Sequence, residues 1–525
     1  MEDQTSNSNG VTLLKRGKNG LAHMIFSRFG IVLLLLIIQV VLLLALFFRF
    51  RQLAPHYLWL STLFNLTMIV VLVNSSHDAS SKITWLIVMM LFPVFGGLLY
   101  IYTSTEVGHK ALKSKVANMT QATRNAILQP PATLQRTKET SPELSELAHY
   151  VSCTGCFPMY ENTQVTYFPI GEKMFAAMLE ELEKAEKFIF LEYFILDEGF
   201  MWGKILEILS RKAKEGVEIR VMYDGTCEFA LLPRDYPQRL EALGISCRVF
   251  APITPFVSTH YNYRDHRKIL VVDGRVAFTG GINLADEYIN KIVRFGHWKD
   301  TGIRLCGDAV ASFTLMFLQM WHVKDSSMED ISPYVTAPPH EPCQGFVMPY
   351  GDCPLDGYDV GKSVYMDILN RAHDYVYIMT PYLILDGELE KALTFAAQRG
   401  IDIRLILPHI CDHFVANTLA RTYYRPLTEA GVKLYEYTPG FVHAKVFVSD
   451  DIRAVVGTIN LDYRSLYHHF ECAAYLHGVD CIADIKDDFL TTLEQCQAVT
   501  PHTIQQEKWY VKLIGNVAKI IAPLL

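Results

Sequence analysis

Two short stretches of this chain pair a histidine with a lysine two residues on and an aspartate five residues beyond that. His266, Lys268 and Asp273 lie in the run HRKILVVD, and His443, Lys445 and Asp450 in HAKVFVSD. Each histidine is followed at the same interval by an asparagine, Asn283 or Asn460. The residues between are mostly Val, Ile, Leu and Phe, which suit a buried strand, and on a strand side chains two apart share a face. Each stretch therefore aims an imidazole and an ammonium at one point. If the two stretches meet about an internal two-fold, two His, two Lys and two Asn converge, and that is a seat for an anionic phosphate.

A phosphodiester repels nucleophiles, so attack on it without a metal needs fixed cations and N–H donors around its oxygens. Lys268, Lys445, Asn283 and Asn460 supply them. A histidine with an ordinary pKa of about 6.5 offers a free ring nitrogen to phosphorus near neutral pH. A second, protonated one can donate to the departing alkoxide and later take a proton from an incoming hydroxyl. Each imidazole needs an acceptor on its other nitrogen. Asp300, in HWKD, and Glu471, in HFE, follow the two stretches by similar intervals and are the candidates. Asp273 and Asp450 either join the catalytic set or cap the turns before the next strands, as Asp273-Gly274 suggests. Gly280-Gly281 and Gly457-Thr458 are small enough to let backbone N–H groups approach the phosphate. His260, His297, His413, His468 and His469 lack such support and are read as solvated or core residues.

The elements around these residues read as α/β, and they repeat. Lys187–Leu196 is a predicted strand, followed by a helix over about 201–214 and a strand from Gly216 to Asp224. Tyr375–Ile384, a helix over about 387–398 and Gly400–Leu407 repeat that order before the second stretch. The repeat is a whole domain, so two domains are expected, 151–330 and 331–505, divided by the Pro-, Asp- and Gly-rich stretch 326–361.

The chain has 525 residues, half of them hydrophobic and a fifth charged, which is apolar for a soluble protein. Three apolar runs, 30–50, 57–74 and 83–102, approach the ~20 residues of a spanning helix. They follow a basic arm, 1–29, and precede a polar linker with a helix in it, 105–150. Basic clusters flank the outer spans on what would be opposite sides, so charge does not set the orientation. Residues 506–525 form an amphipathic helix that either lies in a membrane interface or packs on the second domain. The net charge of −7 argues against a nucleic-acid partner. The eleven cysteines are read as reduced thiols, Cys153 and Cys156 included, although Cys343 and Cys353 could in principle complete a metal set with that pair.

The paired stretches resemble the phospholipase D superfamily. Gly280-Gly281-Ile282-Asn283 with Glu287-Tyr288, Thr380-Pro381-Tyr382, Asp462-Tyr463-Arg464-Ser465, the N-terminal apolar segments and the closing Ala522-Pro523-Leu524-Leu525 resemble bacterial cardiolipin synthases. This resemblance implies two pseudo-symmetric phospholipase D-like domains, each a β-sheet flanked by helices, preceded by transmembrane helices. It implies transfer of a phosphatidyl group between two phosphatidylglycerol molecules through a phosphohistidine, with no metal or cofactor. Membrane lipid is the expected partner, a homo-oligomer is left open, and the catalytic region is expected on the cytoplasmic face of a multi-pass protein. The alternative is a phospholipase D-type hydrolase, or a transphosphatidylase with another alcohol acceptor. The resemblance assigns attack to His266 and proton transfer to His443, while the near-symmetry of the two stretches leaves that division open. Two residues depart from the family pattern: His469 stands where Asn is usual before Phe-Glu, and Thr458 where Ser is commoner.

Overall fold

The computed structural model describes residues 54–75, 77–104, 107–252, 263–325, 327–335 and 342–524, together with Val41. The expected basic arm and nearly all of the first expected span lie outside these residues. Among the described residues no helix is long and apolar enough to cross a membrane. The second expected span falls on the helix Ala54–Val73. The third is not one helix. Ala79–Leu91 stops at Phe92, Pro93 has no N–H to continue the ladder, Val94 takes a φ of 68°, and Phe95–Ser104 begins afresh. Asn65 on the first helix accepts the Val94 N–H at 3.1 Å, so a polar side chain inside one apolar run fixes the break in the next.

The stretch expected as a linker forms three helices, Val107–Thr123, Pro131–Thr140 and Pro142–Gly155. Ser141 caps the last of these, and its face of Leu144, Leu147, Ala148 and Val151 is buried in the main core.

The first half contains β1 (Thr163–Phe168), β2 (Phe188–Tyr193), β3 (Glu218–Asp224), β4 (Ser246–Phe250), β5 (Arg264–Asp265), β6 (Lys268–Val272), β7 (Val276–Gly280), β8 (His297–Lys299) and β9 (Gly302–Gly307). The second contains β10 (Phe346–Asp352), β11 (Tyr375–Met379), β12 (Asp402–Pro408), β13 (Lys433–Tyr437), β14 (Gly440–Val442), β15 (Val446–Ser449), β16 (Arg453–Gly457), β17 (His469–His477) and β18 (Cys496–Ala498). The first sheet runs β1-β9-β7-β6-β2-β3-β4 and the second β10-β17-β16-β15-β11-β12-β13-β18. Strand for strand, the first seven positions of the two sheets match. Parallel pairs β2·β3 and β11·β12 are bridged by the helices Phe200–Lys214 and Gly387–Gln398, while the strands carrying the two histidine stretches join by antiparallel hairpins.

Val, Ile, Leu and Phe of both sheets, with the helix Val310–Trp321, form one buried cluster across both halves. Thr279 of β7 meets Cys472 of β17 at 3.5 Å inside it. Removing either half would expose this apolar surface to water at about 25 cal/mol per Å². At the C terminus the helix Trp509–Ile521 buries Gly515 and Ala518 against the helix Phe414–Arg421. A Cβ at Gly515 would stand 2.5 Å from the Thr418 carbonyl, so glycine permits the approach. The opposite face leaves Trp509, Leu513, Val517 and Ile520 exposed.

Candidate active site

Two short parallel strand pairs tie the halves together and set the site. In β5·β17, Arg264 faces His469 and Asp265 faces Phe470. In β14·β8, Phe441 faces Trp298 and Val442 faces Lys299. One residue further along each pair, a histidine of one half meets a carboxylate of the other. The His266 N–H donates to the Phe470 carbonyl at 2.9 Å, and the His443 N–H to the Lys299 carbonyl at 2.7 Å. The two pairs share one register, so His266 draws Glu471 and His443 draws Asp300.

The side chains follow. His266 Nδ1 lies 2.9 Å from both oxygens of Glu471, and His443 Nδ1 lies 2.7 Å from Asp300 Oδ2. A carboxylate on Nδ1 fixes the proton there and leaves Nε2 as the free nitrogen. Glu471 is held in turn by the Thr458 hydroxyl, which donates to Oε2, and Asp300 by the Thr301 N–H at 2.8 Å. Gly281 makes room for Asp300: a Cβ there would fall 2.0 Å from Oδ1 and 2.8 Å from the His443 carbonyl.

Lys268 and Lys445 sit beside the histidines, each donating to the carbonyl of the histidine two residues earlier, at 2.7 Å for Lys268. Burial pushes Lys268 down to about 8 and Lys445 to about 7. Burial, with the nearby charges of Lys268 and Lys445, holds His266 well below the usual histidine range. Burial, then Lys445, brings His443 to about 4 against the pull of Asp300. Both imidazoles are therefore neutral near pH 7. Aromatic rings wall the pair, Phe194 at 4.9 Å from His266 and Tyr288 at 5.4 Å from His443, centroid to centroid.

The candidate residues separate into two groups. His266, Lys268, His443, Lys445, Asp300 and Glu471 come together. Asp273 and Asp450 do not join them. They stand at the far ends of their strands with φ near 55°, and each carboxylate accepts three backbone N–H groups, from Glu186, Lys187 and Phe188 or from His373, Asp374 and Tyr375. They tie the start of β2 and β11 to the neighbouring hairpin. Asn283 uses Oδ1 on the Ile195 N–H at 3.0 Å and Nδ2 on the Tyr288 hydroxyl at 2.8 Å, pinning the loop after β2. Asn460 is 4% exposed beside Asp462, and its Oδ1 has no hydrogen-bond partner among the described residues.

Thr458 and His469 also belong to the cluster. Their signal in the sequence is positional: Thr458 precedes Asn460 as Gly281 precedes Asn283, and His469 precedes Glu471 as Trp298 precedes Asp300. Among the described residues, Cys153, Cys156, Cys343 and Cys353 are not grouped as metal ligands would be; His266, His469 and Glu471 lie close enough together to hold an ion.

The family model described as "Cardiolipin synthase, PLD-like domain" matches residues 178–293 and 365–493, and "Phospholipase D-nuclease N-terminal" matches 63–103. A cardiolipin synthase of Geobacillus thermodenitrificans is 34% identical over 454 residues, covering 86% of this chain and 90% of the relative. The chain belongs to the cardiolipin synthase family of the phospholipase D superfamily. It is a phosphatidyltransferase of that family, with one histidine stretch in each half. An uncharacterized protein of Streptococcus mutans is 58% identical over 458 residues, covering 87% of this chain and 99% of that one. In architecture the chain resembles the crystal structure of phosphatidylserine synthase from Haemophilus influenzae, with a TM-score of 0.56 at 13% identity, over 72% of this chain and all of the other.

Proposed function

We propose that the chain is a cardiolipin synthase that moves a phosphatidyl group from one phosphatidylglycerol to a second, releasing glycerol. His266 Nε2 attacks phosphorus, the P–O bond to the glycerol headgroup breaks, and His443 gives its Nε2 proton to the departing oxygen. The terminal hydroxyl of the second phosphatidylglycerol then passes its proton to His443 and attacks phosphorus, and the His266–P bond breaks. Lys268 and Lys445 hold the phosphoryl oxygens throughout.

The observation that carries this reading is the reciprocal pairing of each histidine with a carboxylate of the other half, beside two buried lysines. The division of labour follows the family resemblance: the carboxylate on Nδ1 favours the protonated form of each imidazole, while burial and the charges of Lys268 and Lys445 oppose it in both. An anionic phosphate entering the site offsets the lysines and brings His443 towards protonation, as the acid role requires.

A bilayer is the proposed environment. The helix Ala54–Val73 exposes Trp59, Leu60, Leu63, Leu66, Val70 and Val71, and the C-terminal helix exposes its own apolar face. The two surfaces belong to one end of the molecule, since Thr84, in the helix following Ala54–Val73, donates to the Ile520 carbonyl at 2.6 Å. Incubating the purified chain with liposomes of phosphatidylglycerol alone tests the reading. Cardiolipin and glycerol are expected in equal amounts. Phosphatidic acid as the product would instead make water the acceptor.

A further inference from the structure

The two half-sites differ at one position. Trp298, two residues before Asp300, lies 5.5 Å from His443 between ring centroids, and His469, two residues before Glu471, lies 5.1 Å from His266. Tryptophan has no lone pair to offer, whereas histidine brings one. His469 is 7% exposed, and neither ring nitrogen has a hydrogen-bond partner among the described residues. Glu471 Oε1 stands 3.5 Å from its Nδ1 without making a hydrogen bond. One ligand atom from each of His266, His469 and Glu471 lies within 4.8 Å of the other two.

We propose that His266, His469 and Glu471 form a binding site for a zinc-class divalent cation, and that its occupancy switches His266 off. Two imidazoles and a carboxylate are a zinc ligand set that leaves a fourth position open, whereas Mg²⁺ and Ca²⁺ favour all-oxygen sets. Glu471 Oε1 lies 2.9 Å from His266 Nδ1 and 3.5 Å from His469 Nδ1, spacings that two bonds of about 2.0–2.2 Å to one ion can span, and the His469 ring, unheld by hydrogen bonds, is the one that turns to complete the set. The switch rests on the proposed role of His266. The metal takes the lone pair of His266 Nδ1, the proton formerly there moves to Nε2, and Nε2 can no longer attack phosphorus. Glu471 exchanges its hydrogen bond for a metal bond, and no proton is lost from the ring.

The test uses the full chain, purified in detergent, stripped with a chelator and titrated with Co²⁺ and Zn²⁺. The wild type should bind one cobalt per chain with tetrahedral visible absorption and no thiolate charge-transfer band. His469→Asn and His469→Gln should weaken binding at least ~10-fold, since even outer-shell changes cost that much. In the wild type, zinc should protect His266 from diethyl pyrocarbonate. No cobalt uptake, uptake with a thiolate band, or uptake unchanged in both variants would overturn the site. Zinc bound there without loss of phosphatidyl transfer would overturn the switch. Because binding is read by absorption, a failure of the metal site and a failure of the proposed transfer reaction show separately.

Discussion

His266 Nδ1 lies 2.9 Å from both carboxylate oxygens of Glu471, a residue 205 positions further along the chain and in the other half. His443 and Asp300 repeat the relation in the opposite direction. Each imidazole is thus oriented by the half that does not contain it. Neither half holds a complete histidine–carboxylate pair, which gives a physical reason for the two halves to share one core.

The orienting carboxylates should matter to rate more than to binding. Glu471→Gln and Asp300→Asn are each expected to lower kcat by roughly 10²–10⁴-fold with KM little changed, because the imidazole loses its tautomer and the charge that stabilises its protonated form. The double variant His266→Ala/Glu471→Gln should be no slower than His266→Ala alone. Steady-state kinetics on phosphatidylglycerol in mixed micelles measures both; additive losses would contradict the pairing.

Asp273 and Asp450 should behave as structural residues. Asp273→Asn or Asp450→Asn weakens three N–H contacts, one part-buried and two exposed, and is expected to cost about 1–2 kcal/mol of stability. The kcat of the folded fraction should stay within a few-fold of wild type. Thermal unfolding followed by active-fraction kinetics separates the two effects, and a collapse of kcat without loss of Tm would place these carboxylates in the chemistry after all.

Gly281→Ala should damage the second half's histidine from the first half. The added Cβ would lie 2.0 Å from Asp300 Oδ1, so the carboxylate must leave its place under His443. A fall in kcat of ~10-fold or more is expected, with destabilisation of about 1–3 kcal/mol from overpacking. Wild-type kcat in Gly281→Ala would show that the Asp300 contact is dispensable.

The pH profile follows from the buried lysines. Lys445 and Lys268 bind a phosphate only when protonated, and with values near 7 and 8 they lose charge as pH rises through that range. His443, lowered to about 4, stays neutral above that pH in the free enzyme. The affinity for an unreactive, soluble anionic diester, measured as a competitive Ki, should therefore begin to fall between about pH 7 and 8. Lys445→Arg, charged at all these values, should move the fall to higher pH. A basic limb starting only near pH 10 in the wild type would contradict the burial of these lysines.

Much of this was legible in the chain because local spacing carries it. The His-x-Lys stretches on buried strands, the repeated strand-helix-strand order and the strong apolar runs all depend on neighbours a few residues apart. The choice of acid for each histidine was not, because it depends on the register of β5·β17 and β14·β8, strand pairs whose members lie far apart in sequence. Spacing did not show that Asp273 and Asp450 each take three backbone donors from the turn and strand start beside them. An apolar count reads straight through Pro93, which ends the helix in the third run, while the Asn65 contact at that break acts across a helix pair; His469, read as solvated or core, is set against His266 only by the register.

The proposed reaction passes through a covalent intermediate on His266, in a site assembled from both halves. Acid-free denaturation of the enzyme during turnover of phosphatidylglycerol carrying a radiolabelled phosphate, followed by peptide mapping under alkaline conditions, looks for that intermediate itself. Acid-labile label is expected on the peptide containing His266, present in the wild type, lost in His266→Ala, and longer-lived in His443→Ala where the acceptor hydroxyl has no base. Label on His443 in the wild type, or cardiolipin formed at the normal rate by His266→Ala, would contradict it.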